Sequence, residues 1–363
     1  MKKHFYFLSL LLGLAISMTG FTSCCDDDDT PQQQPQVVTP SLNLDFASID
    51  PQFVVNGENG EQYVQLTAGE SLDMPFKVEP AELASQIVLT SSDPSIVVVE
   101  GMKLNALKAG RVTITAKAGE AETSFVVVVQ KFVDRDENGN LKISEINFPD
   151  ENFRTNVKQF DENNDDVLTD AEIAEVTDIN MSSSDIKTLE GIDFFTALQS
   201  LECSYNQLTS LDLSKNTALK YLYCSNNQLT SLDVSGCTKL TTLNCLQNQL
   251  TSLDVSQNTN LMGLYCQSNQ LTSLDVSGCT ALEYLYCQSN QLTSLDVTKN
   301  TALTELDCGS NQLTSLDVSK NTVLETLDCS SNQLTSLDLS HNPEMSSSSL
   351  ECDEKVVVDW GDK

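Results

Sequence analysis

The sequence predicts a mainly β chain: a β-sandwich, then a small helical cap, then a parallel β-solenoid. Three observations predict it. The heptapeptide NQLTSLD begins at Asn206 and recurs unchanged at 227, 248, 269, 290, 311 and 332, every 21 residues. A fixed period of this size marks stacked units that bury their apolar faces only against each other. Between about Ser41 and Phe132, short β-branched runs such as YVQLT, SIVVVEG, RVTITAKAG and SFVVVVQ alternate with Gly, Pro, Asp and Ser, the spacing of a sandwich. Between the two lie DENFRTNVKQF and DAEIAEV, the two segments with helical character, the first with Asp150 placed as its cap after Pro149.

The first residues read as an address. Lys2 and Lys3 precede FYFLSLLLGLAISM, too short to span a bilayer but right for the core of a signal peptide. The run leads to FTSCC. Ser23 directly before Cys24 resembles the lipobox of bacterial lipoproteins, with Phe21 where Leu is usual. The resemblance implies cleavage before Cys24 and acylation of its thiol; plain secretion is the alternative. Residues 1–24 form this leader and 25–40 a polar tether, DDDDTPQQQPQVVTP, with almost nothing to bury. Acids placed directly after the cysteine resemble the surface-export signal of some Gram-negative lipoproteins. The implied location is the outer membrane or cell surface, exported and lipid-anchored. No second long apolar run appears, so the membrane is touched through the N-terminal lipid alone. The chain carries 52 acidic against 20 basic residues, a net charge of −32, which repels phosphate backbones and argues against nucleic acid.

In the 41–132 segment, SSDPSIVVVEGMKLNALKAGRVTITAKAG resembles the group 2 bacterial immunoglobulin-like domains. Without a cysteine there, the core stands on packing. The resemblance implies a stalk or spacer, with ligand binding as the alternative.

The 133–178 segment holds two loops rich in oxygen ligands. In DRDENGNLKISE, Asp134, Asp136 and Asn138 stand at positions one, three and five, Gly139 turns the loop, Asn140 offers its carbonyl and Glu145 closes it. This is the EF-hand loop pattern, and calcium is the cofactor it calls for. DENNDDVLTDAE repeats it with Asp161, Asn163, Asp165, the Val167 carbonyl and Glu172, but Asp166 replaces the glycine. No helix enters the first loop. The pair resembles an EF-hand-like cap on the repeats; a dockerin-like module is the runner-up.

Each 21-residue unit, for example LKYLYCSNNQLTSLDVSGCTK from Leu219, contains L-x-x-L-x-C-x-x-N-x-L and resembles the leucine-rich repeat. Leu and Cys two apart point to one side of a short strand, and stacking places the strands about 4.8 Å apart in a parallel sheet across 179–363. The second half of each unit repeats the same logic, which predicts extended backbone on the back of each coil. Eight of the cysteines take the inward position, and Cys237 and Cys279 replace an asparagine found at 216 and 300. Side chains stacked in register have poor disulfide geometry, so free thiols are expected. The aspartates from Asp212 to Asp338 should form a ladder on one edge, bonded to neighbouring hydroxyls or collecting cations.

Function should be written where the repeats differ. The outward strand positions include Tyr221, Tyr223, Asn244, Tyr265, Tyr284, Tyr286, Glu305 and Asp307, with Tyr265 and Tyr286 one coil apart. Tyrosines clustered on one sheet face suit recognition of a protein or a glycan. Their alternative role is to stack across strands for stability. The internalin-like surface proteins that the repeats resemble imply a non-enzymatic binding or adhesion module with a concave recognition face. A structural spacer is the first rival. A β-helix polysaccharide lyase or another carbohydrate-active enzyme is the second; no nucleophile and base stand together, His341 is the one histidine after the leader, and the repeats are poor in basic residues.

Overall fold

A computed structural model describes residues 39–57 and 60–361. The leader, Cys24 and most of the tether lie outside the described residues. The chain divides after Gln130 into two compact units.

The first unit is all β apart from short 3-10 turns. A five-stranded sheet runs in the order Val54–Asn56, Gln62–Thr67, Ala121–Gln130, Gly110–Ala118, Val88–Ser91. A three-stranded sheet joins Ser71–Asp73, Lys103–Ala106 and Val97–Glu100, and Ser41–Leu44 pairs with Phe76–Glu79. The strand alternation read from the sequence is the burial pattern: Val112, Ile114, Ala116 and Ala118 point inward from one long strand, Phe125, Val127 and Val129 from the next.

The second unit begins with the cap. Asp150 accepts the N–H groups of Asn152 and Phe153 and starts the helix Glu151–Val157. Thr169 and Glu172 form a reciprocal capping box that starts the helix Asp170–Glu175. The apolar faces of these helices meet a phenylalanine cluster: Phe148 lies against Phe153, Phe194 and Phe195 at centroid distances of 5.5–6.2 Å. The cap and the solenoid share one continuous core.

Nine parallel strands come next in strict chain order, from Asp178–Asn180 and Ser200–Glu202 through Tyr221–Tyr223, Thr242–Asn244, Gly263–Tyr265, Tyr284–Tyr286, Glu305–Asp307 and Thr326–Asp328 to Leu350–Glu351. The register matches leucine to leucine: Leu201, Leu222, Leu243, Leu264, Leu285, Leu306, Leu327. These leucines and the cysteines from Cys203 to Cys329 are at most 1% exposed. Met181 takes the cysteine position in the opening coil. The ten repeat cysteines are free thiols, all buried except the half-buried Cys352. Burial pushes the thiols up, to about 12 at Cys245 and about 11 at Cys237 and Cys279.

Two asparagine ladders tie the coils. In the first, each refrain asparagine reaches back one coil: Asn269 accepts the Leu250 N–H at 3.0 Å and donates to the Cys245 carbonyl at 3.0 Å and to that of Cys266 at 3.1 Å. The residue before each such asparagine, from Tyr205 to Ser331, is left-handed, with φ of 52–57°. The second ladder, from Asn216 to Asn342, donates to two carbonyls of the preceding coil, and Cys237 and Cys279 stand in it with sulfur–oxygen distances of 3.6–4.0 Å.

The backs of the coils carry no α-helix among the described residues. Among the described residues only Ser336–Asp338 pairs as a strand there, with Val357–Asp359. Elsewhere the turns close on their own coil: the N–H of Ser235 bonds to Asp233 and that of Cys237 to the Val234 carbonyl. Helix outside residues 150–180 is confined, among the described residues, to 3-10 turns.

Candidate functional site

The outward residues of the nine strands form two rows. One runs Ser200, Tyr221, Thr242, Gly263, Tyr284, Glu305, Thr326. The other runs Glu202, Tyr223, Asn244, Tyr265, Tyr286, Asp307, Asp328, Glu351. All eight residues expected on a recognition face are therefore on one face. Tyr265 and Tyr286 stack, with centroids 5.2 Å apart and planes at 24°. The Tyr265 ring lies over Gly263, where an added Cβ would come within 3.0 Å of it; glycine makes room for the ring. The Tyr286 hydroxyl donates to Glu305, and that bond is the main reason its proton is held far above the usual phenol range. Tyr221 is 43% exposed; Tyr223, Tyr284 and the stacked pair are half-buried.

The acidic end of the face goes further than Asp307. Asp328 and Glu351 continue its row, and a cavity of about 230 Å³ opens between Tyr286, Glu305, Asp307, Asp328, Ser349 and Glu351. Burial pushes the Asp307 carboxyl up to about 6 against the Gly309 N–H it accepts, and the Asp328 and Glu351 charges add to the rise. Sequence reasoning missed Glu351 and the Ser349 wall. The signal was there: the last period is two residues longer than the others, and the extra length falls in the serine-rich turn before Leu350.

The edge aspartates are spent locally. Asp212, Asp233, Asp254, Asp275, Asp296, Asp317 and Asp338 each accept the N–H two residues on at 2.9 Å. Hydrogen bonds from the same serines, or from Thr298, hold the carboxyls of Asp233, Asp254, Asp275, Asp296, Asp317 and Asp338 below the usual range. These residues are scaffold.

The two loops of the cap face each other. Leu141 pairs with Leu168 and Lys142 with Val167, so the eighth positions of both loops meet in a short antiparallel ladder. Gly139 has φ 86°, and Asp166 at the same position takes φ 63° despite its side chain. The donor sets differ. In the first loop Asp134 is held by Lys142 at 3.0 Å, Asp136 accepts the N–H groups of Asn138 and Asn140, and Glu145 is exposed. In the second, Asp161 accepts N–H groups from Asn164, Asp165 and Asp166, Asn163 and Asp165 bond each other, and Glu172 reaches back across the loop to the Glu162 N–H at 3.0 Å. Among the described residues no three acidic, histidine or cysteine side chains converge at metal distance. Both loops turn with a positive φ at their sixth residue, and the carboxylates of both accept hydrogen bonds from their own loop. The sequence pattern is complete in the first loop, where the Lys142 ammonium pairs with Asp134.

Comparison with known proteins places the solenoid. A model of leucine-rich repeats (two copies) matches residues 217–258, 259–300 and 301–348. Internalin J of Listeria monocytogenes serotype 4b (strain F2365) is 44% identical over 71 residues, 19% of this chain; the match spans 8% of that relative's length. The structure of internalin C2 from L. monocytogenes strain 4b F2365 is similar at a TM-score of 0.54 and 25% identity, over 59% of this chain and 97% of that one. The functional domain of InlJ from L. monocytogenes, described as including a cysteine ladder, aligns at 30% identity over 63% of each chain with a TM-score of 0.30. Among the described residues no helix is long and apolar enough to cross a membrane.

Proposed function

We propose that this internalin-like leucine-rich-repeat protein is a lipid-anchored surface module that binds a partner protein or glycan on the tyrosine-bearing face of its sheet, without catalysis. One observation supports this most. The face varies from coil to coil while the buried leucines and the NQLTSLD refrain stay constant, and five tyrosines and Asn244, Glu305 and Asp307 share its two rows. Large, half-exposed aromatic rings with polar tips are the residues that dominate recognition surfaces. In this reading Cys24 carries the lipid, residues 25–40 are the tether, and the immunoglobulin-like 41–132 segment spaces the repeats from the membrane.

The Tyr265–Tyr286 stack favours a second reading, in which the tyrosines stabilise a structural spacer. Tyr223→Ala and Tyr286→Ala separate the two. Loss of binding on a protein and glycan array with unchanged melting supports recognition. Lowered melting with no array ligand supports the spacer.

We also propose that the cap binds calcium, with Asp161, Asn163, Asp165, the Val167 carbonyl and Glu172 as the stronger site and Asp134, Asp136, Asn138, Asn140 and Glu145 as the weaker. The ladder between Leu141 and Leu168 supports it, because it couples the two loops as a pair. Bound calcium would neutralise the loop carboxylates and tie the two loops together.

A further inference from the structure

The outward positions of the nine strands carry six carboxylates, Asp178, Glu202, Glu305, Asp307, Asp328 and Glu351, and no lysine, arginine or histidine. Among the described residues no ion pair involves any of the six. The solenoid does have lysines, including Lys215, Lys239, Lys299 and Lys320, but they sit in the turns between strands. The face is thus a sheet surface whose charge is left without a counter-charge by its own fold. The aromatic and acidic parts are continuous: Tyr286, one ring face covered by Tyr265, lines the same cavity as Glu305, Asp307, Asp328 and Glu351.

We propose that the occupant of this face is a cationic protein surface that presents arginine. This rests on the reading above that the face binds a partner, and it narrows the choice there between protein and glycan. Arginine matches both halves of the face. Its guanidinium forks onto carboxylates and lies flat on tyrosine rings, whereas an ammonium acts as a point charge. A neutral glycan leaves the carboxylates uncompensated, and an acidic glycan or a phosphate polymer meets repulsion. The rise of the Asp307 carboxyl is what a cation arriving beside it would reverse.

The test uses the intact protein with fluorescent nona-arginine and nona-lysine peptides at neutral pH and about 0.15 M salt, where surface charges beyond a Debye length are screened. Binding of nona-arginine should be about fivefold or more tighter than that of nona-lysine. The double variant Asp307→Asn/Asp328→Asn should weaken it about tenfold, and Tyr286→Ala by several-fold. Asp254→Asn/Asp275→Asn removes equal charge from the edge ladder and should change it by less than about twofold. Melting curves confirm that each variant is folded. No binding, no preference for arginine, or equal losses from the face and edge variants would overturn the proposal. The protein and glycan array keeps the two levels apart. Partners lost with Tyr223→Ala but indifferent to Asp307→Asn/Asp328→Asn leave the face as a binding site and overturn its cationic occupant. Partners indifferent to both sets of variants overturn the binding reading and this proposal with it.

Discussion

The two asparagine ladders should differ in how much stability they hold, and one pair of substitutions measures the difference. In Asn269→Ala three bonds of 3.0–3.1 Å disappear. The Cys245 carbonyl keeps a donor in Asn248, and the Cys266 carbonyl keeps one in Asn290. The Leu250 N–H, on a residue that is 0% exposed, keeps no other partner among the bonds of the described residues. Two replaceable bonds at about 1 kcal/mol each and one orphaned buried donor at about 1–3 kcal/mol give a loss of about 3–5 kcal/mol. Asn258→Cys is the contrast. Asn258 donates to the Val234 and Cys237 carbonyls, both of which keep backbone donors, and its own Oδ1 is buried without a partner. Cysteine already holds the equivalent place at Cys237 and Cys279. This change should cost less than about 1 kcal/mol, since no buried group loses its last bond. Trp360 is the one tryptophan of the chain and packs against the solenoid core, so its fluorescence in urea tracks the second unit separately from the first. Equal costs for the two substitutions, or a larger cost for Asn258→Cys, would refute the reasoning that orphaned backbone donors decide the loss.

Asp307→Asn should stabilise the protein at neutral pH. The folded pKa of about 6 lies above the ordinary 3.8, so the folded state holds the extra proton and native stability falls as pH rises between those values. The gain, discounted because the group is only half-buried, is about 1 kcal/mol above pH 6 and fades toward pH 4; an unchanged difference across that range in pH-dependent melting would contradict it. With an aromatic disulfide reagent, Cys352 should react in the native state while the other nine repeat thiols wait for unfolding, because burial both hides them and suppresses their thiolates. Early release of several thiols would show the core to be open. Calcium at about 100 times its dissociation constant should stabilise the second unit by about 2.7 kcal/mol. Glu172→Gln should remove most of that shift and Glu145→Gln little of it; the opposite order in calcium-dependent melting would return the stronger site to the first loop.

The solenoid was legible because its signal is periodic. A period of 21 fixes which leucines meet, and that in turn sets the register, the Tyr265–Tyr286 stack and the buried thiols. The Asp150 cap was legible because it is local. What pattern alone does not reach is which polar groups already have partners. Asp233 and its equivalents repeat in the text as a row of charges, and the structure shows each accepting the N–H two residues on. The first loop has the full calcium pattern, and pattern alone does not show that Lys142 lies 3.0 Å from Asp134. The cavity beside Asp307 depends on a turn two residues longer than its counterparts, and length does not announce where the wall will stand.

The refrain also has a consequence for heredity. Every interior junction joins the same leucine, thiol and amide to their copies, while the distinct pieces are kept to the two ends: the phenylalanine cluster on one side, and the strand Val357–Asp359 with Trp360 on the other. Excising one whole period, such as residues 290–310, creates no core junction of a kind that the molecule does not already contain. Unequal recombination between the near-identical segments that encode the coils can therefore lengthen or shorten the array and rearrange its tyrosines. Folding tolerates each change in copy number, and selection is left to act on the face alone.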